Sequence, residues 1–233
     1  MTGTYDERFF ADRGGSHRSA QVVVPLLIDL LAPRSVVDLG CGTGEWLSVF
    51  REHGVDDVLG VDGDYVDRSR LAIPEELFRP HDLTSPVDLG RRFELAISLE
   101  VGEHLPEASA AGLAGSLAAA APLVLFGAAI PDQRGEGHVN EQWQDWWAGL
   151  FAAHGYVAVD AIRRPLWQDD RVSWWYTQNT LLYAAPDELE RRPLVRQLHE
   201  RTAQEQLAVV HPSGYLSFRS SGRLRERLRR RRG

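Results

Sequence analysis

The segment VVDLGCGTGEW, residues 36–46, carries residue types that are suited to holding a ligand. An apolar run leads into Gly40, Gly42 and Gly44, and a segment of helical character follows. Glycines allow a tight turn and a close approach of the backbone to a ligand beside the N-terminus of a helix. A dinucleotide-binding turn has glycine or alanine at the sixth position from Gly40, but Glu45 stands there and would repel a pyrophosphate. The turn therefore favours a cationic ligand without phosphate over NAD.

Acidic residues close the next three apolar runs. Asp62 ends VLGVD, Asp82 ends LFRPHD, and Glu100 ends FELAISLE. Asp62 lies 22 positions after Gly40, where a carboxylate can accept hydrogen bonds from both hydroxyls of a ribose. Taken singly, each acid is an ordinary solvated residue at a strand end. Together, at the carboxyl edge of a parallel sheet, they outline a ligand site.

A second segment, GEGHVNEQWQDWW at residues 135–147, also contains residues that could take part in catalysis. His138 lies beside glycines on a loop that could close over a substrate, and an imidazole near its ordinary pKa can take a proton at neutral pH. Asn140 fits the N-cap of a following helix, and Glu141 fits its first turn. Apolar side chains recur there at helical spacing and predict a buried stripe: Trp143, Trp146, Trp147, Leu150 and Phe151.

From Ser35 onward, short apolar runs alternate with helical segments, which is the pattern of a parallel sheet covered by helices. We predict strands at residues 35–40, 57–62, 77–82, 94–100, 123–130, 156–164 and 175–185. We predict helices between them at roughly 44–53, 65–71, 108–120 and 140–153. Seven strands with interleaved helices make a doubly wound α/β domain.

Helical segments flank this sheet on both sides. Ser16 is a candidate N-cap for a leading helix, and one stripe of that helix is apolar: Val23, Leu26, Leu27, Leu30 and Leu31. After the sheet, one or two charged amphipathic helices should break at Pro193 and end at Pro212. We therefore expect an N-terminal helical cap (1–34), the α/β domain (35–186), a C-terminal helical extension (187–218) and an arginine-rich tail without fixed structure (219–233).

Composition narrows the class of protein. A chain of 233 residues can bury the core of one main domain. It has no run of 18 apolar residues, so we expect no membrane span and no signal peptide. We expect a cytoplasmic protein. The single Cys41 excludes an internal disulfide and a cysteine-rich zinc site. Residues 219–232 hold eight arginines and one glutamate, a charge of +7, so the rest of the chain carries −14 of the total net charge of −7. Because this acidic part would repel a polyanion, the charge argues against a nucleic-acid partner.

The chain resembles the class I S-adenosylmethionine (SAM)-dependent methyltransferases over most of residues 16–186. The motifs that carry this resemblance are VVDLGCGTG, the acid Asp62, HDL at residues 81–83, and SLEVGEHLP at residues 98–106. RSA before the first strand, GHVNEQW after the fifth and a late WWYTQN are similar to a bacterial subgroup that methylates small molecules. The resemblance implies a Rossmann-like, mostly parallel seven-stranded sheet, with SAM as cofactor and S-adenosylhomocysteine (SAH) as its product.

The resemblance also implies roles for residues. The backbone from Gly40 to Gly44 would hold the methionine part of SAM and Asp62 its ribose. The other cofactor-binding candidates are Asp82 and Leu83 at the adenine, Asp38 acting indirectly, Arg18 at the methionine carboxylate, and Glu100 at the edge of the site.

Methyl transfer to a hydroxyl requires alignment of the acceptor and removal of its proton. We rank His138 above His104 as the general base, with Glu141 as a further catalytic candidate. Glu103, His104, His138 and Glu141 lack the close spacing of a recognisable metal site, so we expect no metal. Gln178 and Asn179 should lie on opposite faces of an edge strand, one facing solvent.

The sequence leaves two enzyme hypotheses and one non-enzyme hypothesis. The first is O-methylation of a small molecule, such as a natural product or sugar intermediate, by a protein that could form a homodimer or bind a small partner protein. DNA base methylation is disfavoured, because SLEV replaces an NPPY-like segment and Cys41 lies in the cofactor turn. The second is another reaction, such as elimination, cyclisation or hydrolysis, on a SAM- or SAH-binding fold. The third is a non-catalytic partner subunit, or a nucleic-acid-binding protein that uses the arginine-rich tail.

Overall fold

A seven-stranded sheet forms the centre of the computed structural model, which describes residues 13–218. The strands are β1 (Ser35–Leu39), β2 (Asp57–Asp62), β3 (Phe78–Pro80), β4 (Leu95–Leu99), β5 (Leu123–Gly127), β6 (Val157–Val159) and β7 (Leu181–Ala184). Their order is β3-β2-β1-β4-β5-β7-β6. Strand β7 runs antiparallel to β5 and β6, and the other pairs are parallel. The predicted α/β fold with a mostly parallel seven-stranded sheet is confirmed.

Helices cover both faces of the sheet. They are α1 (Arg13–Leu31), α2 (Glu45–Glu52), α3 (Glu107–Ala120), α4 (Gln144–Ala152), α5 (Arg163–Leu166), α6 (Trp174–Asn179), α7 (Pro186–Arg191) and α8 (Pro193–Glu200). Residues 212–218 are also helical. Single 3₁₀ turns occur at Arg68–Arg70, Glu75–Leu77, Gly102–His104 and Gln204–Gln206.

The central strands are buried on both faces, because successive side chains point to opposite sides of the sheet. In β4, Leu95 and Ile97 face the core beneath α1, α2 and α8, whereas Ala96 between them faces the core beneath α3 and α4. The carboxyl ends of these strands carry the acids that the sequence singled out.

The leading helix follows the predicted stripe, since Val23, Leu27 and Leu31 are buried and Leu26 is partly buried. Ser16 is not its N-cap. It lies inside α1, and its hydroxyl is 2.9 Å from the hydroxyl of Tyr176.

Several element predictions need correction. The C-terminal helical segment expected to end at Pro212 ends at Glu200, and a further helix covers residues 212–218. The strand predicted at 77–82 is only β3. The predicted strand 175–185 is divided between α6 and β7, and the strand begins only at Leu181. A short apolar run rich in aromatic residues does not distinguish a strand from a buried helix, which explains the error. The predicted helix 65–71 is only the 3₁₀ turn Arg68–Arg70, whose N-cap Asp67 accepts from Ser69 N at 3.1 Å. The strands predicted at 123–130 and 156–164 are shorter than expected.

The predicted helix at 140–153 begins at Gln144. Trp143 is its N-cap position and is 40% exposed, so it is not part of the buried stripe, which Trp147 and Phe151 form. Asn140 and Glu141 precede the helix, and neither caps it.

None of the helices within residues 13–218 combines the length and apolar character needed to cross a membrane. The expected tail, residues 219–233, lies outside the described part of the chain.

Candidate cofactor and active site

The glycine-rich turn after β1 depends on left-handed backbone conformations. Gly40, Gly42 and Gly44 have φ values of 92°, 53° and 84°. At Gly40, a Cβ atom would also overlap the side chain of Val101 in the loop after β4. The turn therefore needs glycine both for its conformation and for its close approach to that loop.

Asp62 ties the glycine turn to the end of β2. Its Oδ2 accepts from the backbone N–H of Gly42 at 2.7 Å. Its Oδ1 accepts from Gly63 N at 2.6 Å and from the hydroxyl of Tyr65 at 2.5 Å. Because Tyr65 is 69% exposed, its ring can move aside, and the carboxylate would then be open to a ligand hydroxyl.

Asp38 lies at the end of β1 and is buried. Burial raises the pKa of its carboxyl well above the ordinary range, and the neighbouring charge of Asp62 raises it further. A cationic ligand in the glycine turn would offset both effects, which agrees with an indirect role for Asp38.

The segment after β3 lies at the same sheet edge, since His81 N donates to the carbonyl oxygen of Asp62 at 2.7 Å. Asp82 is exposed and accepts from Thr84 N and Oγ1, which lowers the pKa of its carboxyl. Leu83 is buried. The three elements that the resemblance assigns to SAM are thus adjacent.

Arg18 is exposed on α1. The adjacent His17 approaches the cofactor turn instead, with its Nδ1 3.4 Å from Glu45 Oε2 at the start of α2.

Glu100 follows β4 with a φ of 57°, which is unusual for a residue other than glycine. Its carboxylate accepts from Asn179 Nδ2 at 2.9 Å and from Gln133 Nε2 at 3.1 Å. Side chains from two other segments therefore hold this strained residue in place.

Glu103 is completely buried in the 3₁₀ turn after β4. Within the described residues, its carboxylate oxygens lie beside the Glu100 carboxylate and the backbone N–H of Ala129, but none of these contacts has good hydrogen-bond geometry. Burial and the charge of Glu100 raise the pKa of Glu103 well above its usual range. Its backbone carbonyl accepts from Val139 N at 2.8 Å and Asn140 N at 3.1 Å, which joins this turn to the loop after β5.

Glu141 organises that loop. Its carboxylate accepts from Asp132 N at 2.8 Å and from Arg134 N at 2.6 Å, two residues with positive φ. Glu141 Oε1 also lies 2.8 Å from His138 Nδ1. An ionised carboxylate only accepts, so Nδ1 carries the proton and the lone pair of His138 is on Nε2.

The two histidine rings meet edge to face, with their centroids 4.9 Å apart. Burial, and to a lesser extent the neighbouring His138, lowers the pKa of His104. One ligand atom each from Glu103, His104 and His138 lies within 4.8 Å of the other two. The expectation of no metal rested on sequence spacing, but the fold brings three of the four residues together.

Sequence reasoning was wrong about α6 and missed its part in the site. Gln178 and Asn179 are buried in a helix, not placed on an edge strand. Gln178 Nε2 donates to Gln133 Oε1 at 3.0 Å, and its Oε1 accepts from His211 N at 2.9 Å. The amides thus connect the C-terminal segment to Glu100. In the sequence, the only signal for these two amides was the similarity of WWYTQN to the bacterial small-molecule subgroup.

Comparison with known proteins agrees with this geometry. The sequence profile of a methyltransferase domain matches residues 13–169. The chain belongs to this family. It is a class I SAM-dependent methyltransferase by family and fold. A search of curated proteins found no match.

Three solved structures illustrate the fold. The sugar N-methyltransferase KedS8 from Streptoalloteichus sp. has a TM-score of 0.60 and 16% identity, over 79% of this chain and 97% of that one. DesVI from Streptomyces venezuelae has a TM-score of 0.57 and 16% identity, over 77% and 96%. The magnesium protoporphyrin IX methyltransferase ChlM from Synechocystis, with bound SAH, has a TM-score of 0.52 and 16% identity, over 79% and 90%.

Proposed function

We propose that this methyltransferase binds SAM at the glycine turn and transfers its methyl group to a hydroxyl oxygen of a small molecule, such as a natural product or sugar intermediate. The observation that carries the proposal is the position of the His138–Glu141 pair on the loop after β5, bonded through the Glu103 carbonyl to the loop after β4. The first of these loops follows β5, which pairs with β4, and the second follows β4, which pairs with β1 and so lies next to the strand that carries the glycine turn.

The cofactor assignment fits the described residues. Gly40 to Gly44 would cradle the methionine part, Asp62 would accept from the ribose, and Leu83 would pack against the adenine. SAM supplies an electrophilic methyl group on a sulfonium, so the protein has chiefly to align the acceptor and exclude water. The acidic surroundings of Asp38 and Asp62 suit a ligand that carries positive charge.

His138 is the candidate base for the acceptor hydroxyl. Glu141 holds the proton on Nδ1, which directs the lone pair of Nε2 away from the carboxylate. The Nε2 end of the ring lies over Gly135, where a Cβ atom would overlap it. The absence of a side chain at Gly135 therefore avoids a steric clash with the His138 ring.

A small-molecule acceptor is also supported by two of the similar structures, which belong to a sugar N-methyltransferase and a magnesium protoporphyrin IX methyltransferase. The first of these methylates nitrogen. An unprotonated amine can accept a methyl group without a base, whereas a hydroxyl needs a base to remove its proton. The ordered His138–Glu141 pair provides such a base and therefore favours oxygen as the acceptor atom.

The test is transfer of a labelled methyl group from SAM to a panel of hydroxylated small molecules, with matched amines. We expect label in one or more hydroxyl compounds, and its loss in His138→Ala. Label confined to amines would contradict the acceptor assignment. Substrate consumption without label in any product would contradict methyl transfer, and an Asp62→Ala variant controls for turnover that does not need the cofactor.

A further inference from the structure

We propose that Glu103, His104 and His138 form a binding site for one divalent transition-metal ion. Their ligand atoms already lie within 4.8 Å of one another. Bonds of about 2.1 Å place the ligand atoms of a tetrahedral site about 3.4 Å apart, so closure needs the most distant pair to approach by at most about 1.4 Å. The site goes beyond the proposed function, because ion binding does not depend on which molecule is methylated.

Glu103 gives independent support. Its side chain has no exposed surface, and its polar neighbours are the Glu100 carboxylate and the backbone of Glu103 and Ala129, none of which makes a well-formed hydrogen bond to it within residues 13–218. A buried carboxyl group whose hydrogen bonds are poorly formed is costly, and native proteins often explain one by a ligand, an ion or a catalytic role. A cation between Glu103 and the histidines would be such an ion.

The histidines are arranged as metal ligands usually are. The His138 ring is fixed by its Nδ1 bond to Glu141 at 2.8 Å, and a carboxylate behind a histidine typically orients it toward a metal. His104 interacts with the backbone of Gly137 and is only 4.9 Å, ring to ring, from His138. Each ring thus has one side anchored, and the two face a shared space.

The donor set indicates the class of ion. Two imidazoles and one carboxylate suit first-row divalent ions such as Mn²⁺, Fe²⁺, Co²⁺ and Zn²⁺ better than Mg²⁺, which prefers oxygen ligands. Three protein ligands would leave coordination positions open for a substrate oxygen. An ion bound to Nε2 of His138 would occupy the lone pair that the proposed general base uses, so His138 would act as a base only in the ion-free protein.

The test is a titration of the chelator-stripped, full-length chain with Co²⁺, followed by visible absorption. We expect one equivalent to bind and to produce the d–d bands of a site with nitrogen ligands. Glu103→Gln and His138→Gln, which keep the side-chain size, should abolish these bands. His53→Gln, a change of an exposed histidine outside the cluster, should leave them unchanged.

Glu141 is a positioning residue in this proposal, so Glu141→Gln should weaken Co²⁺ binding by about 10- to 100-fold without removing the spectrum. Failure of Co²⁺ to bind, or identical bands in Glu103→Gln, would overturn the proposal. Calorimetry of SAH binding in the presence of chelator keeps the two proposals separate, because a chain that binds SAH but no Co²⁺ refutes the metal site alone.

Discussion

Asn179 in α6 donates a hydrogen bond of 2.9 Å to the carboxylate of Glu100, which follows β4 in a left-handed conformation. Asn179 also donates to Gln133 Oε1 at 3.1 Å. The side chain of Asn179 is buried, so water cannot readily replace these bonds. One amide thereby joins a helix, a strand end and the loop after β5.

We expect Asn179→Ala to lower the free energy of unfolding by about 1–3 kcal/mol, because it removes the buried amide that donates to both Glu100 and Gln133. Urea denaturation measures this change. Gln21→Ala, an exposed amide on α1, is the matched control and should stay within about 0.5 kcal/mol of the parent chain. A loss of the same small size in Asn179→Ala would show that the network contributes little.

The glycine turn gives a second prediction. Gly40 and Gly54 both have positive φ, 92° and 86°, but only Gly40 has a neighbour, Val101, that a Cβ atom would overlap. Gly54→Ala should therefore cost about 1–2 kcal/mol for the left-handed conformation alone and leave SAH affinity unchanged. Gly40→Ala should destabilise the chain more and also weaken SAH binding. Thermal unfolding and calorimetry on both variants check this, and equal effects would contradict a tight turn at the cofactor.

The arrangement of the glycine turn and the strand-end acids could be predicted from sequence because its information is local. The glycine turn, Asp62 and Asp82 each follow a strand at a characteristic spacing, and parallel strands place their carboxyl ends at one edge. The structure places the elements as expected.

The other half could not be predicted, because its contacts join distant segments. His104 and His138 are 34 positions apart, and bonds between distant segments, such as those from Val139 and Asn140 to the Glu103 carbonyl, bring their loops together. Glu141 looked like a helix-terminal acid by its position, but its hydrogen bonds instead shape the loop that carries His138. The spacing of these residues in the sequence does not predict any of these contacts.

Asp62 and Tyr65 give a third prediction. The Tyr65 hydroxyl occupies an acceptor position of Asp62 Oδ1 that a ribose hydroxyl would use. Asp62→Asn should reduce SAH affinity at least tenfold, since hydrogen bonds to a charged group contribute about 1.5–3 kcal/mol. Tyr65→Phe removes the competing hydroxyl, so SAH affinity should stay the same or rise. If Tyr65→Phe weakened binding as much as Asp62→Asn, the tyrosine would be a ligand contact and the ribose assignment would need revision.

Asp38 gives a prediction about pH. Burial, assisted by the charge of Asp62, raises its pKa in the folded state well above the ordinary value of 3.8. The folded chain then holds a proton that the unfolded chain has released, so the contribution of Asp38 to stability falls as pH rises from about 4 toward the folded-state pKa. Asp38→Asn removes this penalty. Without cofactor, the variant should gain stability over the parent chain as pH increases through that window, with little difference at pH 3.

Urea denaturation of both proteins across that pH range measures the difference, with Asp29→Asn, an exposed change on α1, as the matched control. Saturating SAM should reduce the advantage of Asp38→Asn, because a bound cation favours the ionised carboxylate. A variant that is equally destabilised at every pH would show instead that Asp38 is held by contacts that its amide cannot make.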